Sequence, residues 1–133
     1  MEKSIEDLSR YRYETSVEAL EDAKLMHEKG RYKNALNRAY YSIFHGIRSV
    51  NALEKYDSSK HSGVIAFFNQ RYVKTGTFPK DLSKIIRLSS ESREKADYLD
   101  FFIASKSESE KQIRRAEEFN TYIREFLMQK RII

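Results

Sequence analysis

Residues 31–50 read as one uninterrupted helix whose inward face is too small and too apolar to be left in water. Ala35, Ala39, Ser42, Ile43, Gly46, Ile47 and Val50 recur at the three- and four-residue spacing of a single helical face. Ala39, Ser42 and Gly46 are small, so another helix can approach this face closely. A second sector of the same helix carries Tyr41 and Phe44 beside Arg38 and His45. The last two are seven residues apart, about two turns, so they stand one above the other. Arginine and histidine on the flank of a buried helix call for partners or for a task. The rest of the chain reads as support for this helix.

The flanking sequence supplies further helices with short connections. Residues 4–29 form a first helix, capped by Ser4, with an inward stripe of Ser16, Ala19, Leu20, Ala23, Met26 and His27; Gly30 suits its C-terminal cap. The second helix ends near Leu53, and residues 54–59 form a polar loop. Lys60-His61-Ser62-Gly63 leads into a third helix with Val64, Ala66, Phe67, Phe68 and Tyr72 as its apolar content. Residues 75–79 break it at Pro79, the one proline of the chain. A fourth helix starts there, with Leu82, Ile85, Ile86, Ser89 and Ala96 facing inward. The apolar cluster over residues 97–103 reads as a connector packed on the core, in preference to a short strand. Ser107 with Glu110 matches a capping box, and Ile113, Ala116, Phe119, Ile123, Phe126 and Leu127 form the stripe of a fifth helix. The expected fold is an all-α, antiparallel up-and-down bundle of about five helices, because short loops make neighbours run in opposite directions. A tetratricopeptide array is excluded, since the pattern at Gly30 does not recur at the ~34-residue period.

With 133 residues, residues 1–133 fit a single domain that buries roughly two thirds of its unfolded surface. The absence of cysteine excludes disulfides and thiolate chemistry. No apolar run reaches the ~18 residues that span a bilayer, and no signal peptide is visible, so a cytoplasmic protein without membrane contact is expected. The net charge of +5 permits contact with nucleic acid, but 20 acidic residues lie among 25 basic ones, which is the pattern of solvated helix faces. The three histidines are scattered, and no carboxylate spacing suits a metal, so neither metal nor cofactor is expected.

Residues 35–45, Ala-Leu-Asn-Arg-Ala-Tyr-Tyr-Ser-Ile-Phe-His, resemble the second helix of HEPN domains (higher eukaryotes and prokaryotes nucleotide-binding). Lys60-His61-Ser62-Gly63, Val73-Lys74-Thr75-Gly76 and Arg93-Glu94-Lys95-Ala96-Asp97-Tyr98 resemble a prokaryotic subgroup associated with minimal nucleotidyltransferases, in matching order. The resemblance covers a core of about residues 10–127. It implies a helical bundle that often dimerises, frequently a metal-independent endoribonuclease of a toxin–antitoxin module, paired with a minimal nucleotidyltransferase. Active members carry an arginine, four to six intervening residues and a histidine. Of His27, His45 and His61, only His45 has an arginine at that spacing, namely Arg38. Ala39 follows that arginine where active members carry Asn, Asp or His.

The resemblance thus makes Arg38 and His45 the candidate catalytic pair. A histidine near neutral pKa can move the proton of the RNA 2′-hydroxyl, and an arginine fork can hold phosphate oxygens. Lys60, His61 and Ser62, at a predicted helix start, are a candidate nucleotide or phosphate site. Tyr41, Arg93, Asp97 and Tyr98 form a candidate supporting polar cluster. The alternative reading is a non-catalytic module that binds a nucleotide, an RNA or a protein partner, with the same residues as structural contacts.

Overall fold

The computed structural model describes residues 2–133, and among them the chain forms the expected all-α bundle. Its five α-helices are α1 (Lys3–Glu28), α2 (Tyr32–Asn51), α3 (His61–Phe68), α4 (Asp81–Tyr98) and α5 (Lys106–Gln129). A 3-10 turn, Ala52–Glu54, extends α2, and a π-helical turn, Asn69–Val73, extends α3. Helix α2 packs against all four other helices. Twelve of its twenty residues are buried, as its small and apolar face requires.

Small residues let the backbones come together, and serine hydroxyls then tie them. Ser16 Oγ donates to the Ser42 carbonyl at 2.6 Å, and Ser42 Oγ donates to the Ser16 carbonyl at 2.8 Å. Ser9 Oγ donates to the Ser49 carbonyl at 2.7 Å, so the contacts descend α1 as they climb α2 and the two run antiparallel. At Gly46 a Cβ would lie 3.4 Å from Ile123 Cγ1 and 3.5 Å from Ser16 Oγ, so α1 and α5 both press on α2 at that point. Gly30 closes α1 at φ +74, a left-handed conformation that costs glycine little, and the Arg31 N–H reaches back to the Met26 carbonyl at 2.8 Å. Tyr40, Ile43 and Ile47 of α2 meet Phe68, Leu82, Phe119 and Ile123 in the core. Each such side chain contributes about 1.5–3 kcal/mol relative to exposure.

Several local expectations are corrected. Helix α1 begins at Lys3 behind Glu2 with no side-chain cap, so Ser4 lies inside it. The capping box of α5 is Ser105 with Glu108, not Ser107 with Glu110. The two serines both stand three residues before a glutamate, and the earlier pair forms the box: the Glu108 N–H donates to Ser105 Oγ at 3.0 Å and the Ser105 N–H donates to Glu108 Oε1 at 3.2 Å. Ser109 Oγ lies 2.8 Å from His27 Nδ1, and Gln112 Nε2 donates to the Ser89 carbonyl at 2.9 Å. The cluster 97–103 is a connector, but it does not pack on the core: Phe101 is 100% exposed and Ile103 is 88% exposed. The chain reverses there through Phe101 at φ +59, which throws its side chain outward. Ala66 is exposed as well, because Val64, Phe68 and Tyr72, four residues apart, already occupy the inward face.

Candidate functional site

Beyond its first turn, α2 reaches solvent at only five residues: Asn37, Arg38, Tyr41, His45 and Arg48. Their spacing of three and four puts them on one stripe. The stripe exists because the opposite side of α2 is consumed by α1, α3 and α5. Arg38 and His45 therefore share the exposed edge of an otherwise buried helix, and both lie against Tyr41. The Arg38 guanidinium carbon is 5.1 Å from the centre of the Tyr41 ring, and the His45 ring centre is 6.0 Å from it.

Arg38 is held from the side. Its Nε and Nη2 donate to Asn37 Oδ1 at 3.1 and 2.9 Å. Asn37 Nδ2 in turn donates to the Asp97 carboxylate at 3.2 Å, and Asp97 lies 3.5 Å from Arg93 Nη1. Asp97 and Arg93 both belong to α4, so this relay fastens the stripe to that helix. The Arg93 guanidinium sits 4.6 Å over the Tyr40 ring and 5.9 Å from the rings of Tyr41 and Tyr98. Arg93 is nearly buried and its Nε has no hydrogen-bond partner, so the aromatic faces stabilise its charge in place of a second acceptor. An open pocket of about 430 Å³ adjoins Arg38, Asn37 and Asp97 and is closed on its far side by Asp22 and Met26 of α1.

His61 joins this cluster from the first turn of α3. Its ring stacks on Phe44 at 4.1 Å between centres, meets Tyr41 edge-on at 5.7 Å, and places Nδ1 3.0 Å from the Tyr40 hydroxyl. Burial pushes its pKa below the usual imidazole value, and Arg93 and Arg48 push it the same way. The effect on His45 is larger. Burial first, then the charges of Arg48, Arg38 and Arg12 and the His61 ring, lower its pKa from 6.5 to about 4. His45 is therefore a neutral imidazole at pH 7, surrounded by cations. It can accept a proton, and an arriving anion that offsets those cations would raise its pKa toward neutrality.

The predicted residues fall into two groups. Arg38, Tyr41, His45, His61, Arg93 and Asp97 are brought into one cluster at the meeting of α2, α3 and α4. Lys60 and Ser62 are exposed on either side of His61, Lys60 at the N-cap of α3 and Ser62 in its first turn, and Tyr98 is exposed at the end of α4. His27 is bound to Ser109 of α5, outside the cluster. Four contributors were missed by sequence reasoning. Asn37 and Arg48 lie on the same helical stripe as Arg38 and His45, so spacing could have found them. Arg12 and Asp57 carry no such signal, because only the packing of α1 and of the loop after α2 brings them to Arg48. Among the described residues no group of three His, Cys, Asp or Glu side chains could hold a metal ion, and no helix is long and apolar enough to cross a membrane.

The chain matches the HEPN domain family over residues 9–126. It is 35% identical over 114 residues to a "UPF0332 protein" of Thermotoga maritima, covering 86% of each chain. It is 34% identical over 98 residues to "Putative toxin MJ0605" of Methanocaldococcus jannaschii, covering 74% of this chain and 73% of that one. A second protein of that archaeon, "Putative toxin MJ0142", is 28% identical over 120 residues. A family match across nearly the whole chain, joined to a five-helix bundle built round its second helix, makes this protein a member of the HEPN family.

Proposed function

We propose that the chain is a toxin-like HEPN protein that cleaves RNA without a metal, through Arg38 and His45. The observation that carries the reading is the half-exposed stripe of α2, on which a guanidinium and a neutral imidazole share the ring of Tyr41. Relatives named as toxins support the biological setting. In this reading His45 takes the proton of a ribose 2′-hydroxyl. The resulting oxygen attacks the adjacent phosphorus and forms a 2′,3′-cyclic phosphate. The P–O5′ bond breaks, and the leaving oxygen receives the proton that His45 has just accepted. Arg38 offsets the charge that builds on the phosphate oxygens. Residues 1–133 act as one domain in a cytoplasmic homodimer whose two stripes face one strand, and a minimal nucleotidyltransferase is its cellular partner. Lys60, His61 and Ser62 contact a neighbouring phosphate, while Tyr41, Arg93, Asp97 and Tyr98 hold Arg38 in place.

The test is cleavage of a labelled single-stranded RNA in the presence of a chelator. Wild type is expected to cut and to leave cyclic phosphate ends; Arg38→Ala and His45→Ala are each expected to lose about a hundredfold or more in rate, the range ascribed to a general base or a charge-stabilising group. Equal rates in all three proteins would refute the assignment. One observation favours a second reading: two donors of Arg38 are already taken by Asn37. A module that binds RNA or a nucleotide without cutting would bind in this assay and give no product.

A further inference from the structure

Next to the stripe, two guanidiniums converge on a single oxygen. Arg12 Nη2 of α1 lies 3.1 Å from Asp57 Oδ2, and Arg48 Nη2 of α2 lies 3.0 Å from the same atom. The arginines are the buried partners, with side chains 11% and 27% exposed, whereas Asp57 is 47% exposed. Arg12 is also fixed by donating Nη1 to the Arg48 carbonyl at 3.3 Å. Two half-buried positive charges facing one another repel unless an anion lies between them, and here the anion is a side chain on the solvent side. The fork is therefore built first by the α1–α2 packing, and Asp57 fills it.

The loop that carries Asp57 is held separately. The Tyr56 ring stacks on Phe67 at 4.0 Å, its hydroxyl donates to the Gly63 carbonyl at 3.3 Å, and a Cβ at Gly63 would lie 2.9 Å from Ser58 Oγ. Asp57 Oδ1 accepts the Ser58 N–H at 2.9 Å. Because Tyr56 and Ser58 anchor the loop on either side, the carboxylate can leave the fork by a side-chain rotation alone, with the backbone in place.

We infer that Arg12 and Arg48 form a phosphodiester subsite for a single-stranded RNA, and that Asp57 is an internal carboxylate occupying it until the strand displaces it. A phosphate offers the fork what Asp57 offers, an anionic oxygen at hydrogen-bond distance, and guanidinium geometry suits both. Arg48 stands three residues from His45 on the same face, so a phosphate held there adjoins the candidate reacting position. The inference deepens the proposed function, since it names a second contact for the same strand, but it concerns binding and not cleavage.

The experiment measures binding of a 2′-O-methyl oligoribonucleotide, which lacks the nucleophile and cannot be cut by this chemistry, by fluorescence anisotropy across a salt series. Asp57→Asn is expected to tighten binding about five- to tenfold at moderate salt, because the phosphate no longer has to displace a carboxylate from the fork. Glu54→Gln, which removes one negative charge from a pair with Arg71 nearby in sequence, is expected to change affinity less than twofold. The double variant Arg48→Gln/Asp57→Asn is expected to lose the gain. Arg48→Gln alone is expected to flatten the slope by about 0.7 relative to wild type, which keeps the inference testable if Asp57→Asn folds poorly. No tightening in a folded Asp57→Asn, equal tightening in Glu54→Gln, or a gain that survives loss of Arg48 would each overturn it, as would failure of every variant to bind. A wild type that does not cleave RNA but shows this binding pattern refutes the catalytic role of His45 and leaves the subsite standing.

Discussion

The electrostatic setting of His45 leads to a prediction that can be worked from distances. Its pKa of about 4 arises from burial together with cations, of which Arg48 is the foremost. Three residues of separation on a helix put the two Cβ atoms about 5–6 Å apart. Unit charges about 6 Å apart interact by about 0.7 kcal/mol in water and by about 2.8 kcal/mol at an effective dielectric of ~20. At 1.36 kcal/mol for each pH unit, Arg48→Gln should raise the midpoint of His45 by between about half a unit and two units. The chain has only three histidines, so ring proton or carbon signals in an NMR pH titration can be assigned by single substitutions. Wild type is expected to show one midpoint near 4 that moves up in Arg48→Gln. The folded protein holds this proton less tightly than the unfolded chain, so stability is expected to fall as pH drops from about 6.5 toward 4, and to fall less in the variant. A His45 that titrates at its ordinary value in wild type, or one unmoved by loss of Arg48, would refute the reasoning.

Two further outcomes follow from the packing. Ser42→Ala removes a donor from the α1–α2 seam, and with it the bond that ties the Ser16 carbonyl to α2, so it should cost about 0.5–1.5 kcal/mol in urea unfolding; a neutral result would mean that the paired serines contribute nothing to the seam. Phe101→Gly should leave stability unchanged or raise it by up to about 1 kcal/mol, because the ring is fully exposed and the backbone is left-handed, while Phe119→Ala in the core should cost about 3–5 kcal/mol; similar losses in both would contradict the placement of the α4–α5 connector.

How much of the protein could be read without coordinates differs from element to element. The stripe Ala35–Ala39–Ser42–Gly46 announced α2 as the organising helix, because periodicity is a local property and small residues state how near a neighbour can come. Gly30 marked the end of α1 for the same reason, since a left-handed turn has few chemical solutions. The cap of α5 was misread because Ser105 and Ser107 are locally equivalent, each standing three residues before a glutamate. The connector 97–103 was misread because apolar composition says that a segment could be buried without saying that room exists for it.

The candidate site divides along the same line. Arg38 and His45 were visible as a pair two turns apart on one helix, and His61 and Arg93 as polar groups at the edges of apolar segments. Their grouping round Tyr40, Tyr41 and Phe44 was not visible, nor was the fork of Arg12 and Arg48 on Asp57. The sequence by itself determined the helices, the identity of the central one and the direction in which its charged edge points relative to its small face, all of which follow from the 3.6-residue period. Only the tertiary structure decided which cations surround His45, and so its protonation state. Electrostatic energy depends on distance through space and on burial, and residues 12, 45 and 57 acquire neither until the bundle closes.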